Sequence, residues 1–532
     1  MTIFVRTAAL LLAVLAAAPP ALAQGEHPRR PEQRREQPQR PPEHDQQQTT
    51  GKGVLRLLPG DSITEHTIET PQGKLAYTAT AGTIPLYGQS GDQIASIFYT
   101  AYIAKKGTGP RPLTFAFNGG PGAASAFLNL GLVGPRRLEF GRDVHHLDPA
   151  KRDPDPAKRD PDQAQRDPGQ ARLVDNPDTW LRFTDLVLID PIGTGWSRTV
   201  KADDAKDFWS VSRDADSMAK AISVYVSRNN RTLEPIYLAG ESYGGFRAAK
   251  VARALKRDYG IMTNGIVMIS PLLQGWLTFG DDQSALRSAL VLPSLAAAHL
   301  ETQGRFSTDA LAKAEKFALT DYLTTLAGPP LSDEAARAFY ARIADYTGLP
   351  VDALAHTRGF IIDNYIKALR AGDVVSRYAA DFAVSDPDPE ERGARGPDPI
   401  LDGIARAYGG AFANYARNEL GFETEMTYKL LADDVTSRWD WGHGGRGQVG
   451  IDGDLRVLLA FDPHFRLLVA NGMTDMVTPF AQSRYVLDHL PPVNPPGRAQ
   501  LKLYRGGHML YLDPQARKAF SEDAGNFYKS AP

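Results

Sequence analysis

A serine in a glycine-rich turn is the first residue in this chain whose surroundings indicate chemistry. Ser242 lies in Gly240-Glu241-Ser242-Tyr243-Gly244, the chain's only match to the pattern Gly-x-Ser-x-Gly. Apolar residues at 236–239 predict a strand before the turn, and the residues from 246 onward predict a helix after it. A serine on such a sharp turn presents its hydroxyl outward, and the flanking glycines leave room for the turn. This context indicates a nucleophile, although the five-residue pattern alone also fits a purely structural turn.

A serine hydroxyl is a weak nucleophile without a base, and the base needs a carboxylate that orients it. Asp475 follows an apolar strand pattern, which places it at the carboxyl edge of a sheet, where ligands of open α/β sheets gather. His508 follows a second short strand pattern and two glycines, Gly506 and Gly507, that permit a tight turn. Of the eleven histidines, only His508 lies in such a turn after both other candidates. The chain order Ser242, Asp475, His508 is that of the α/β-hydrolase catalytic triad.

The apolar runs along the chain predict the elements that hold these three residues. Five runs have the length of a strand, and they lie at 113–117, 186–189, 236–239, 266–269 and 467–470. Nearly continuous apolar strands are typical of a mostly parallel sheet that helices cover on both faces. From 276 to 454 this pattern gives way to alanine-rich helical segments. We therefore expect an α/β-hydrolase fold with its core at 52–275 and 455–532 and an inserted helical cap at 276–454.

Three segments of unusual composition are expected to lie outside this core. Residues 1–23 have a basic start, a short apolar run and small residues at a cleavage site, as in a secretory signal peptide. The alternative is an amphipathic anchor that is retained. Residues 24–51 are rich in Pro, Arg, Gln and Glu and predict a disordered linker. A seven-residue repeat with a proline in every copy predicts a disordered loop at 143–172. We expect an exported protein, periplasmic or secreted, with no stable membrane insertion after signal cleavage.

The composition excludes several classes of function. The chain has no cysteine, so it has no disulfide, no thiolate nucleophile and no cysteine-bound zinc. Its formal net charge of −2 favours neither nucleic acid nor an anionic membrane. The sequence has no clustered metal ligands, no phosphate-binding loop and no stripe of basic and aromatic residues. We therefore expect no metal, no cofactor and no nucleic-acid partner.

Five segments of the chain resemble the motifs of the serine carboxypeptidase family, and they occur in the same order as in that family. They are Asn118-Gly-Gly-Pro-Gly122, Asp190-Pro-Ile-Gly-Thr-Gly-Trp-Ser197, Glu241-Ser-Tyr-Gly-Gly245, Asp475 with Val477-Thr-Pro479, and Gly507-His-Met509. The resemblance implies peptide substrates with a free C-terminus. It also implies the same triad, with Ser242 as nucleophile, His508 as base and Asp475 as the partner that orients it.

The resemblance further implies roles for four residues near the triad. The backbone N–H groups of Gly120 and Tyr243 would form the oxyanion hole. Asn118 and Glu241 would hold the terminal carboxylate of the substrate. Because the carboxyl groups of Glu241 and the substrate would share a proton, binding should weaken as the pH rises. One departure concerns this subsite, since the family usually has a Trp two residues before the Asn and this chain has Ala116.

The predicted function is that of a serine carboxypeptidase, which releases C-terminal amino acids from peptides through an acyl-enzyme and works best at acid pH. An esterase, an acyltransferase or an endopeptidase on the same scaffold would use the same triad. A generic esterase has no need of a carboxyl group beside its nucleophile, so Glu241 favours the exopeptidase. A catalytically silent binding protein with this fold is the alternative from another class.

Overall fold

A computed structural model of the chain describes residues 52–529, apart from 106–108, 141–170, 362, 364, 392–395 and 493–494. The described residues all belong to one structural unit, Gln47–Pro532. The predicted signal peptide and linker lie outside the described residues, as does the predicted loop at 143–172 except for its last two residues.

Fourteen strands lie in the described part of the chain. In chain order they are β1 (Ser62–Thr70), β2 (Gly73–Tyr87), β3 (Gln93–Ala104), β4 (Leu113–Phe117), β5 (Arg136–Glu139), β6 (Arg172–Asp175), β7 (Asp185–Ile189), β8 (Arg198–Thr199), β9 (Ile236–Glu241), β10 (Gly265–Ile269), β11 (Asp373–Val375), β12 (Ala383–Ser385), β13 (Arg466–Gly472) and β14 (Ala499–Tyr504). Strands β5 and β6 form a small two-stranded sheet, and so do β11 and β12.

The main sheet has ten strands among the described residues, in the order β1-β2-β3-β7-β4-β9-β10-β13-β14, with β8 paired to β3. From β7 to β14 the neighbouring strands run parallel. Every position of β4, β7, β9 and β10 is buried, which is why these strands have continuous apolar sequences. The mostly parallel sheet is as predicted.

An antiparallel edge extends this sheet on one side. Strand β1 pairs antiparallel with β2, and β2 pairs antiparallel with β3. Strands β1, β2 and β3 are absent from the predicted set. Strands β1 and β2 alternate between more and less exposed positions and have no continuous apolar run.

Fifteen helices lie in the described part of the chain. They are α1 (Ala126–Leu128), α2 (Val211–Arg228), α3 (Tyr243–Ala254), α4 (Gly275–Phe279), α5 (Ala285–Thr302), α6 (Thr308–Phe317), α7 (Leu323–Ala327), α8 (Asp333–Thr347), α9 (Val351–His356), α10 (Tyr365–Ala368), α11 (Ala407–Asn418), α12 (Asp433–Ser437), α13 (Asp452–Phe461), α14 (Phe480–Asp488) and α15 (Pro514–Lys529). None of these helices is both long enough and apolar enough to cross a bilayer.

Helices pack on both faces of the sheet. Helices α2 and α3 contribute to the hydrophobic core on one face, and α15 contributes to the core on the other. Strand β4 shows the division, because Phe115 and Phe117 belong to the first core and Ala116 to the second.

The described chain between β10 and β13 is mostly helical, from α4 to α13. A third hydrophobic core joins α5, α6, α8 and α9, and it includes Met476, the residue after Asp475. Further along, the segment 428–440 returns over two loops of the main sheet. Ala432 N donates a hydrogen bond to Gly122 O at 2.8 Å, and Lys429 N donates to Gly195 O at 3.0 Å.

Candidate active site

Ser242 occupies a strained turn between β9 and α3. Its backbone has φ 60° and ψ −125°, a combination that residues other than glycine rarely adopt. A Cβ on Gly240 would lie 2.1 Å from Gly244 O, and a Cβ on Gly244 would lie 2.4 Å from Phe117 O. The glycines are therefore required by the close approach of three backbone segments. Ser242 itself is partly exposed, between the buried Glu241 and a buried helix.

The His508 ring bonds directly to the Asp475 carboxylate. Nδ1 of His508 lies 2.9 Å from Oδ2 of Asp475. A carboxylate offers only acceptors, so this contact places the ring proton on Nδ1 and leaves Nε2 as the basic nitrogen of the neutral ring. The other bonds to Asp475 fix its orientation: Oδ1 accepts from the N–H groups of Val477 at 2.8 Å and Thr478 at 3.0 Å, and Oδ2 accepts from the Thr478 hydroxyl at 2.8 Å.

The end of β10 connects Ser242 to the His508 loop. Ser242 N donates to Ile269 O at 2.9 Å. The next residue, Ser270, donates from its hydroxyl to His508 O at 2.8 Å and accepts at its carbonyl from the Thr478 hydroxyl at 2.9 Å. The structure thus gathers the three predicted triad residues at the carboxyl ends of β9, β13 and β14, which is the edge where the sequence predicts them.

The surroundings of His508 change its affinity for a proton in two directions. Burial lowers the pKa of His508, but the negative charges of Asp475, Glu241 and Asp398 outweigh this effect and raise the pKa above its usual value. Tyr378, in the turn between β11 and β12, supports the same loop. Its carbonyl accepts from His508 N at 2.6 Å, and its ring lies edge-on to the imidazole at 5.1 Å.

The loop after β4 touches the start of α3, so the two predicted oxyanion donors lie on adjoining segments. A Cβ on Gly119 would lie 2.5 Å from Tyr243 N. Gly120 has φ +100°, a left-handed conformation that glycine adopts without strain. As far as the structure describes the chain, neither Gly120 N nor Tyr243 N donates a hydrogen bond to another protein group.

A buried ion pair between α2 and α3 supports the loop after β4. Arg247 on α3 pairs with Asp214 on α2 at 2.6 Å, and both side chains are almost fully buried. Another nitrogen of the same guanidinium, Nη1, donates to Asn118 O. From the other side, the Thr436 hydroxyl donates to Pro121 O at 2.6 Å. Arg247 and Thr436 were not predicted, because neither belongs to a sequence motif and each acts only through contacts that the fold creates.

Glu241 and Asn118, the predicted carboxylate-binding pair, are in direct contact. Asn118 Nδ2 donates to Glu241 Oε2 at 2.6 Å, and Asn118 Oδ1 accepts from Leu128 N at 3.0 Å. The same Glu241 oxygen accepts from the Tyr511 hydroxyl at 2.9 Å. Burial raises the pKa of Glu241 to about 7, although the charge of His508 and the two hydrogen bonds oppose the shift. Tyr511 carries no sequence signal of this contact.

Among the described side chains, no group of three His, Asp or Glu residues is arranged to hold a metal ion.

The parallel sheet, the strained serine and the His–Asp pair together define an α/β-hydrolase. A family model described as serine carboxypeptidase matches residues 81–268, from within β2 to β10, which include Asn118, Glu241 and Ser242. Asp475 and His508 lie beyond the matched residues. Over these residues the chain is similar to the serine carboxypeptidase family, and this similarity supports a hydrolase that acts on peptides.

Three solved structures are similar to this chain at low sequence identity. Kex1(delta)p, a prohormone-processing carboxypeptidase from Saccharomyces cerevisiae, has a TM-score of 0.50 and 15% identity over 85% of this chain and 91% of its own. Proline iminopeptidase from Mycobacterium smegmatis has a TM-score of 0.36 and 13% identity over 85% of this chain and 100% of its own. A thermophilic esterase from Thermogutta terrifontis has a TM-score of 0.33 and 12% identity over 87% and 99%. A search of curated proteins finds no match.

Proposed function

We propose that the protein is a serine-type carboxypeptidase that removes single amino acids from the C-terminus of peptides. The observation that supports this most directly is the buried carboxyl group of Glu241, which precedes Ser242 and is held by Asn118. An ionised carboxyl group at this place would oppose the negative charge that develops during acyl transfer. A carboxyl group that carries a proton can instead donate it to the carboxylate of a peptide C-terminus.

The proposed chemistry has two stages. Ser242 Oγ attacks the carbonyl of the last peptide bond while His508 Nε2 takes the hydroxyl proton and Asp475 stabilises the resulting imidazolium. The N–H groups of Gly120 and Tyr243 bind the oxyanion. His508 then passes the proton to the departing amino group, which breaks the C–N bond and releases the C-terminal amino acid. Water hydrolyses the acyl-enzyme by the same steps and restores the serine.

The proposed pH dependence follows from Glu241. Its pKa of about 7 means that it carries a proton below that pH and is ionised above it. The free carboxylate of a peptide binds well to the protonated form and is repelled by the ionised form. Peptide hydrolysis is therefore favoured on the acid side of about pH 7.

A pair of substrates that differ only at the C-terminus tests the function. We expect the protein to release the last residue of a peptide with a free carboxylate. The C-terminally amidated form of the same peptide should be cleaved at least about a hundredfold more slowly, because it has no carboxylate for Glu241 and Asn118 to bind. Mass spectrometry of the products gives the measurement, with Ser242→Ala as the inactive control. Equal cleavage of both peptides, or cleavage at internal bonds, would identify an endopeptidase instead.

We also propose that the protein is exported, in a periplasmic or secreted form. The support is the composition of residues 1–23, with a basic start, a short apolar run and small residues at the exit. The sequence likewise supports a division in which 276–454 forms a cap on the core at 52–275 and 455–532.

A further inference from the structure

Two hydrogen-bond donors converge on a single oxygen of Glu241. Asn118 Nδ2 lies 2.6 Å from Oε2, and the Tyr511 hydroxyl lies 2.9 Å from the same atom. Within the described residues, the other oxygen, Oε1, has no hydrogen bond to protein. The two oxygens of this carboxyl group are therefore not equivalent.

The position of the Tyr511 hydroxyl is fixed by the fold. Tyr511 lies three residues after His508, in the short helical turn Leu510–Leu512, and it is 1% exposed. Its ring packs against Gly131, where a Cβ would lie 2.4 Å from the ring carbon Cε2. The turn that carries the base therefore also carries this donor, and Gly131 leaves the space that the ring occupies.

We infer that Tyr511 is a positioning residue of the carboxylate subsite, which with Asn118 occupies both lone pairs of Glu241 Oε2 and so confines the proton of Glu241 to Oε1. From Oε1 the proton can be donated to the terminal carboxylate of a substrate. The inference rests on the proposed carboxypeptidase function and specifies how its subsite is oriented. The serine carboxypeptidase family usually has a Trp two residues before the asparagine, and this chain has Ala116 there. In this chain Tyr511 supplies a hydrogen-bond donor to the same subsite.

Several titratable groups from different elements face Glu241. They are His508 and Tyr511 from the loop after β14, Asp475 from the loop after β13, Tyr378 from the turn between β11 and β12, and Tyr408 from α11. The charge of His508 favours the ionised form of Glu241, and the charge of Asp475 opposes it. Donation from Tyr511 also favours the ionised form, because a carboxylate accepts a stronger hydrogen bond than a carboxylic acid does.

The direction in which the Tyr511 hydrogen bond shifts the pKa of Glu241 provides a test. A purely structural role of Tyr511 would not produce this shift. Loss of the Tyr511 hydroxyl removes a group that favours ionisation, so Glu241 keeps its proton to a higher pH. In Tyr511→Phe we expect the pH at which peptide KM begins to rise to move upward by about one unit. At about pH 5 we expect peptide KM to rise about fivefold from the loss of orientation, a larger change than that in peptide kcat.

Tyr408→Phe is the matched control, because it removes a hydroxyl from another buried tyrosine near Glu241 that does not donate to Oε2. We expect its pH midpoint to stay at the wild-type value. An unchanged midpoint in Tyr511→Phe, a downward shift, or an equal shift in Tyr408→Phe would overturn the inference.

A second readout separates this inference from the proposed function. The infrared band of the protonated carboxyl group, identified by its loss in Glu241→Gln, reports the ionisation of Glu241 in the full-length protein without substrate. We expect its midpoint to move upward in Tyr511→Phe and to stay in Tyr408→Phe. If the wild type releases no amino acid from peptides, the proposed function fails, and this infrared titration still decides whether Tyr511 controls the proton of Glu241.

Discussion

At the residue scale, the site holds two buried carboxyl groups with different surroundings. Asp475 receives hydrogen bonds on both oxygens, from two backbone N–H groups, the Thr478 hydroxyl and His508. Glu241 receives both of its hydrogen bonds on one oxygen, and burial raises its pKa to about 7. The first arrangement suits a fixed acceptor that orients a base. The second suits a group that exchanges a proton near neutral pH.

The variant Glu241→Gln tests this difference. Below about pH 7 we expect it to have about tenfold lower kcat/KM on a peptide, because an amide is a weaker donor than a carboxylic acid. Above about pH 7 wild-type kcat/KM should fall by about tenfold per pH unit as Glu241 ionises. The amide of the variant cannot ionise, so its profile should not show this fall. The measurement is kcat/KM against pH for one peptide.

An ester without a free carboxylate is the control substrate for this experiment. Its hydrolysis should rise with pH as His508 loses its proton, at a lower pH in Glu241→Gln because the charge of Glu241 no longer raises the pKa of His508. Neither protein should show a fall in ester hydrolysis above about pH 7. A fall in peptide hydrolysis above about pH 7 that persists in Glu241→Gln would show that another group causes it.

At the scale of elements, the two helices next to Ser242 also hold the loop after β4. Arg247 on α3 joins Asp214 on α2 to the carbonyl of Asn118, so three segments distant in sequence meet at one guanidinium. The guanidinium also lies 5.0 Å from the centre of the Tyr243 ring. Its removal should therefore affect both stability and the position of the loop after β4.

We expect Arg247→Met to lower the free energy of unfolding by about 3–5 kcal/mol, because it leaves Asp214 buried and unpaired. Urea denaturation gives the measurement. Arg257→Ala serves as the comparison, since Arg257 pairs with Asp216 and Asp258 at the exposed surface and should change stability by less than about 1 kcal/mol. Similar losses in the two variants would show that burial of the Arg247 pair carries no special cost.

The sequence predicts some elements of this molecule better than others. Strands β4, β7, β9, β10 and β13 were predicted because both faces of each strand are covered, which requires a continuous apolar sequence. Strands β1 and β2 alternate between more and less exposed positions, and β14 is only partly buried, so periodicity gives a weaker signal there. Strand β3 was also missed, although most of its positions are buried. Tyr511, Arg247 and Thr436 contribute through tertiary contacts that no local pattern encodes. The positions of Ser242, Asp475 and His508 at one edge of the sheet were predictable because each residue follows a strand.

At the scale of the whole molecule, the site depends on contacts between the sheet and the region from α4 to α13. Met476, next to Asp475, packs in the third hydrophobic core with helices of that region. Tyr378 from the same region accepts a hydrogen bond from His508 N. Residues inside and outside the predicted cap therefore support the loop after β13, which carries Asp475, and the loop after β14, which carries His508.

The export proposal also belongs to this scale. We expect a bacterium that expresses the full-length chain to release a mature protein that begins at Gln24, because Ala21-Leu22-Ala23 fits the exit of a signal peptide. Intact-mass measurement of the periplasmic and external fractions provides the test. Leu12→Arg, which places a charge in the apolar run, should keep the unprocessed chain in the cell. An uncleaved wild-type chain in the cytoplasm would contradict the proposal.

The most direct measurement of the central claim is covalent labelling by a fluorophosphonate, in which an activated serine oxygen displaces fluoride from phosphorus. We expect one label per chain, located on the peptide that contains Ser242, with no label in Ser242→Ala and labelling slowed by about a hundredfold or more in His508→Ala. Unlabelled wild-type protein, or a label that persists in Ser242→Ala, would contradict the identification of Ser242 as a nucleophile activated by His508.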